Sequence, residues 1–118
     1  MGARERRKGN EAERAVAKCL QNAGWQAVTS RAKNGTQDGC DIITDAPVAI
    51  EVKNHVRLDL SAWVAQAKSN ADDKVPVVWH KKRGESSPLE WYVTMDGQAL
   101  VALLRMVRDD VDGHGAGK

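Results

Sequence analysis

The sequence is short of aromatic residues, cysteines and long apolar runs, and each shortage excludes a class of protein. It has no Phe, one Tyr and four Trp, so the core must consist mainly of aliphatic side chains. Its two cysteines form no CxxC motif or Cys/His cluster, which argues against a zinc site and against a disulfide scaffold. No apolar run reaches the length of a membrane span, and no apolar segment of a signal peptide follows the basic N-terminus. We therefore expect a cytoplasmic protein with reduced thiols and no membrane association.

The remaining composition is that of one globular domain. The chain has 118 residues, of which 42% are hydrophobic and 29% are charged, which is too apolar for a disordered protein. A chain of this length can bury one sizeable core. We predict a single domain over residues 9–108, preceded by a flexible basic segment at 1–8 and followed by a disordered tail at 109–118.

Positive charge is concentrated in the first third of the chain. Through Lys33 there are eight basic and three acidic residues, a net charge of +5, so the remainder carries −3 of the total of +2. Such asymmetry points to a polyanionic partner at one end of the molecule.

The hydrophobic periodicity predicts the order α-β-β-β-α-β-β-α, which is typical of an α/β domain with helices packed against a mixed central sheet. Asp41 and Glu51 would lie on the second and third strands, which the tight turn between them predicts to pair as a hairpin. The predicted helices cover residues 10–23, 60–72 and 97–108, and the predicted strands cover 25–29, 40–44, 48–54, 75–80 and 89–94.

Asp41, Glu51 and Lys53 form the constellation that carries chemistry. Glu51 and Lys53 are two residues apart and share one face of a strand. Two neighbouring carboxylates repel each other, and a divalent cation such as Mg²⁺ or Mn²⁺ would remove that conflict. The alternative without function is that Glu51 and Lys53 form a solvated Glu-x-Lys face, which is common on exposed strands.

The pattern Asp41 followed by Glu51-Val52-Lys53 resembles the PD-(D/E)xK nuclease signature. The segment RKGNEAER at residues 7–14 is similar to the start of the archaeal-type Holliday junction resolvases, and the resemblance covers about residues 7–55. It implies a restriction-endonuclease-like core and a homodimeric, Mg²⁺-dependent endodeoxyribonuclease in which Mn²⁺ can substitute. The substrate would be the four-way DNA junctions of recombination and repair, and the source a microbe or a phage that acts in its host's cytoplasm.

The resemblance also implies roles for individual residues. Lys53 would be the catalytic lysine, and Gln66 on the second helix is a candidate to support it or the attacking water, although a surface glutamine is the commoner case. The implied metal ligands are Glu13, Asp41, Glu51 and the Val52 carbonyl. The three acidic residues among them are also implied to be catalytic. The candidate DNA-binding residues are Arg6, Arg7, Lys8, Arg14, Ser30, Arg31 and Lys33.

Two alternative functions remain open on the sequence alone. One is another small nuclease on the same core that nicks DNA or acts as a flap, exonuclease or restriction-like enzyme. The other is a DNA-binding module without catalysis. The basic loop at Lys81-Lys82-Arg83 is interpreted either as a second DNA contact or as solvated surface.

Overall fold

A computed structural model describes residues 3–31 and 40–116, and it has a mixed α/β architecture, as predicted. A short 3-10 helix spans Pro88–Glu90. The α-helices are α1 (Ala3–Asn22), α2 (Leu60–Ser69) and α3 (Gly97–Ala116). The strands are β1 (Ala27–Thr29), β2 (Ile42–Thr44), β3 (Val48–Lys53), β4 (Val75–His80) and β5 (Tyr92–Thr94).

The strands of the described residues form two sheets rather than the predicted single sheet with a β2–β3 hairpin. β1 pairs with β2 in antiparallel fashion, with Val28 opposite Ile43. β3 pairs with β4 in parallel, with Glu51 opposite Val78, and β5 adds to β4 in antiparallel fashion. The hairpin prediction is therefore wrong, because β2 pairs with β1 and not with β3. Just before β2, the backbone N–H of Asp41 donates a 3.0 Å hydrogen bond to the carbonyl of Ile50 on β3.

The main core lies between α1 and the strands. The buried stripe of α1, including Ala12, Val16 and Leu20, follows the helical repeat that the sequence predicts. It packs with Ile42 and Ile50 from the strands, so the core is mainly aliphatic, although it also contains the buried Trp91. The helix ends before Gly24, whose φ of 101° suits the left-handed position that commonly follows a helix.

The ends of several elements differ from the prediction. α1 begins at Ala3 rather than near residue 10, because Ala, Glu, Arg and Lys at its start all favour helix. α3 continues to Ala116, so the described part of the tail, to residue 116, is helical; no proline interrupts it after Gly97. The predicted strand at 89–94 begins only at Tyr92, since Pro88 instead opens the 3-10 helix. Within residues 3–31 and 40–116 no helix is long and apolar enough to cross a membrane.

Candidate active site

Asp41 and Glu51 lie side by side in the interior, at 7% and 2% exposure. Asp41 directly precedes β2, and its backbone N–H donates to the carbonyl of Ile50 at 3.0 Å. Its Oδ2 accepts a 2.8 Å hydrogen bond from the backbone N–H of Val52. Asp41 is thus fixed to the two residues that flank Glu51 in the chain, and this places the two carboxyl groups against each other.

The electrostatics of this pair are unfavourable in the absence of a cation. The pKa of Asp41 is raised from 3.8 to about 7. Burial is the largest cause, and both the charge of Glu51 and a hydrogen bond between the two carboxyl groups act in the same direction. The Val52 hydrogen bond and the Lys53 charge lower the pKa, but they do not cancel the rise. At neutral pH a large fraction of Asp41 is therefore protonated unless positive charge is supplied.

Helix α2 supplies two amide side chains to the site. Gln66 Oε1 accepts a 2.6 Å hydrogen bond from Lys53 Nζ, and Asn70 Nδ2 donates one of 2.8 Å to Glu51 Oε1. Four helical residues rise about 6 Å, and two strand residues rise about 6.7 Å. Because these two rises are similar, Gln66 lies opposite Lys53 and Asn70 lies opposite Glu51. Each of the two site side chains on β3 therefore has its own hydrogen-bond partner.

Asn70 is a site residue that the sequence analysis missed. It follows α2 directly as the residue that caps its carboxyl end. The available signal was its spacing of four residues from Gln66, which places both amides on the same face of a helix.

Glu13 has a different partner in the structure. It is buried on α1, and its Oε2 lies 3.3 Å from Nη2 of Arg31. Glu13, Arg14 and Arg31 line one small cleft together with Asn10 and Thr29. Over residues 3–31 and 40–116, no three His, Cys, Asp or Glu side chains group closely enough to hold a metal, so Glu13 does not join Asp41 and Glu51 in such a group.

The predicted DNA-binding residues fall into four sets. Arg31 is half-buried, and its Nη2 lies 3.3 Å from Glu13 Oε2. Arg6, Arg7, Lys8 and Arg14 are exposed on α1, where they can reach a phosphate backbone. Ser30 is 1% exposed, and its Oγ has no hydrogen-bond partner in the described part of the chain. The structure therefore places Ser30 in the interior, where its short side chain is not available to a phosphate. Lys33 lies outside the described residues.

The donor set of the acidic pair fits a hard divalent cation. Asp41 and Glu51 offer carboxylate oxygens, which Mg²⁺ and Mn²⁺ prefer. The N–H and C=O of one strand residue point to the same edge, so the Val52 carbonyl faces the side on which Asp41 accepts the Val52 N–H. The raised pKa of Asp41 is the observation that supports this fit, since a bound cation would stabilise both carboxylates in their charged form.

One family model matches most of the chain. It is described as archaeal Holliday junction resolvase, and the match covers residues 4–103. The chain therefore belongs to this family of PD-(D/E)xK-type nucleases. No curated protein and no solved structure matches the chain.

Proposed function

We propose that this resolvase-family nuclease hydrolyses phosphodiester bonds of four-way DNA junctions with Mg²⁺ bound at Asp41 and Glu51, and that Mn²⁺ can replace it. The observation that carries the proposal is the buried Asp41–Glu51 pair beside Lys53, because such a pair is costly unless a cation compensates it. The cytoplasm, where recombining DNA is present, is the proposed site of action.

Each residue of the site has a proposed role in the reaction. Asp41, Glu51 and the Val52 carbonyl would hold the cation, which when bound lowers the pKa of water and offsets negative charge on a phosphate. Lys53 would orient the attacking water through its ammonium group and stabilise the charge that develops on the scissile phosphate. Gln66 would fix Lys53 in place through its 2.6 Å hydrogen bond.

Asn70 and Glu13 are assigned supporting roles. Asn70 holds the Glu51 carboxylate through Oε1, which leaves Oε2 for the cation. Glu13 pairs with Arg31, and a direct role in metal binding requires that it leave that partner. A Glu13→Gln variant separates the two roles, because only a metal ligand changes the Mg²⁺ concentration at which cutting is half-maximal.

We also propose that the active form is a homodimer, since two symmetric cuts in a junction require two sites. The outer face of α3 exposes Leu100, Leu104, Val107 and Val111 at coiled-coil spacing. If a second copy of α3 packs in the antiparallel direction, Leu100 faces Val111 and Leu104 faces Val107, so each layer combines a large with a small side chain.

A panel of labelled DNA substrates tests the proposed function. A four-way junction, a linear duplex, a flap and a single strand are incubated with the protein and either Mg²⁺ or EDTA. We expect paired, symmetric nicks in the junction, only with Mg²⁺. Cutting of the flap or linear DNA instead would favour another small nuclease, and tight binding without any product would favour a binding module.

A further inference from the structure

A cleft of about 450 Å³ opens directly beyond the candidate catalytic lysine. It lies at the carboxyl ends of the parallel strands β3 and β4, and its lining includes Asn54 and His55 after β3 and Lys81 after β4. The backbone N–H of Lys81 donates to the carbonyl of Lys53 at 2.9 Å. The cleft therefore begins at the residues that directly follow Lys53 and His80 in the chain.

The charge of the cleft is suited to phosphate. Four basic side chains line it against one acidic side chain, Glu11. The basic residues are Lys8, Lys81, Lys82 and Arg83. Backbone phosphates are the most direct partners for such a cluster in a protein that acts on DNA.

The walls of the cleft are apolar and aromatic, which phosphate contact alone does not require. Tyr92 is 57% exposed at the cleft, and Val56 and Leu58 are more exposed still. Lys82 Nζ lies over the Tyr92 ring, 5.7 Å from its centre, so a base that stacks on this face would take the place of the ammonium group. A ring next to a cation is the arrangement that binds a stacked base together with its phosphate.

The Tyr92 ring is held in place from behind. The ring of His80 packs 6.1 Å from that of Tyr92 and 5.6 Å from that of Trp63 on α2. His80 is buried and its Nε2 is 2.7 Å from Thr94 Oγ1, which fixes the imidazole between the two aromatic residues. The stacking surface is therefore ordered before any ligand arrives, which lowers the entropic cost of binding.

We propose that this cleft binds an unpaired nucleotide of the DNA substrate, with its base on Tyr92 and its phosphate against Lys81 and Lys82. The choice of DNA as the ligand rests on the proposed function. The cleft volume lies within the range of roughly 300–1,000 Å³ that is usual for small-ligand sites, which suits one nucleotide and is too small for a duplex. A branch point is where paired strands exchange, so unstacked nucleotides can occur there.

Binding in EDTA tests the cleft without any cutting. Fluorescence anisotropy would measure the affinity of the full chain for labelled hexathymidine and for a labelled 12-base-pair duplex. We expect Tyr92→Ala to weaken hexathymidine binding at least about fivefold, the low end for loss of one stacked base, and duplex binding less than about twofold. Tyr92→Phe keeps the ring and should retain wild-type affinity.

Charge variants provide the matched comparison. Lys82→Ala should weaken hexathymidine binding and reduce the slope of log affinity against log salt by about one. Lys18→Ala removes an exposed lysine outside the cleft lining and should change hexathymidine binding less than Lys82→Ala does. Thermal melting of each variant shows whether the fold is intact.

Three results would overturn the proposal. One is an equal loss by Tyr92→Ala on single-stranded and duplex DNA, and a second is no loss on either. The third is displacement of hexathymidine by micromolar dTMP, which would identify a site for free nucleotides rather than for DNA. Because no arm uses cutting, a failure here is distinct from a failure of the nuclease assignment, which the Mg²⁺-dependent assay measures.

Discussion

Replacement of Asp41 by Asn should stabilise the metal-free protein at pH 8 while abolishing cutting. The introduced amide keeps an oxygen that can accept from the Val52 N–H, and it adds an N–H₂ group that can donate to Glu51. It thus reproduces the hydrogen bonds of a protonated Asp41 without a pH-dependent charge.

The magnitude follows from the pKa of Asp41. Burial and the neighbouring Glu51 raise it from 3.8 to about 7 in the folded state. One pKa unit corresponds to about 1.4 kcal/mol, so ionisation of Asp41 disfavours the folded apoprotein at pH 8 by up to about 4 kcal/mol. Because the pKa is raised on folding, the contribution of Asp41 to stability is fully present below pH 3.8 and is lost as the pH rises through about 7.

Urea unfolding in EDTA measures the effect. The free energy of unfolding of the wild type and of Asp41→Asn is compared at pH 5 and at pH 8. We expect the variant to be more stable than the wild type by about 2 to 4 kcal/mol at pH 8 and by less than half as much at pH 5, which lies only about one unit above the unfolded-state pKa of 3.8. Addition of Mg²⁺ at pH 8 should stabilise the wild type and leave Asp41→Asn nearly unchanged.

Asp73→Asn serves as the control, since Asp73 is an exposed carboxylate in the turn after α2. It should not alter the pH dependence of stability. The reasoning about the acidic pair is refuted if Asp41→Asn gives no gain at pH 8, or if it gives the same gain at both pH values.

Two further predictions concern the amides of α2. Gln66→Leu removes the acceptor of Lys53 Nζ and should lower the single-turnover rate of junction cutting about 10- to 100-fold, with little change in junction affinity. Gln98→Leu on α3 is the control. Unchanged cutting by Gln66→Leu, or an equal loss in the control, would exclude a positioning role for Gln66. Asn70→Ala leaves the buried Glu51 Oε1 without its donor and should lower the free energy of unfolding by about 1–3 kcal/mol in urea titrations. Asn22→Ala, at the exposed end of α1, should lower the free energy of unfolding by less. Equal losses in both asparagine variants would contradict this account of Asn70.

The sequence predicts the local elements of this fold better than their pairing. Strand β4 over residues 75–80 and the start of α2 at Leu60 agree with the prediction, because apolar alternation and helical spacing are local signals. The pairing of β2 with β1, and of β3 with β4, depends on which surfaces the whole chain can bury together. A short turn between β2 and β3 therefore misled the prediction of a hairpin.

The candidate site was predictable where chemistry and spacing coincide. Asp41, Glu51 and Lys53 come together in the structure, and Gln66 reaches Lys53 from α2. The four-residue spacing from Gln66 places Asn70 on the same helix face, but Asn70 was missed because its contact with Glu51 depends on how α2 lies across β3. The pairing of Glu13 with Arg31 was missed for the same reason, since the two residues lie on separate elements.

The rate of junction cutting by Glu51→Gln is the most direct test of the central claim. This variant keeps the size of a side chain that is almost fully buried but removes one of the two charges proposed to hold Mg²⁺. Glu90→Gln, an exposed glutamate in the 3-10 helix, is the matched control. We predict at least about a 100-fold loss of Mg²⁺-dependent cutting for Glu51→Gln with junction binding retained, and wild-type cutting for Glu90→Gln. Wild-type cutting by a folded Glu51→Gln would contradict the assignment of Asp41 and Glu51 as the catalytic metal site.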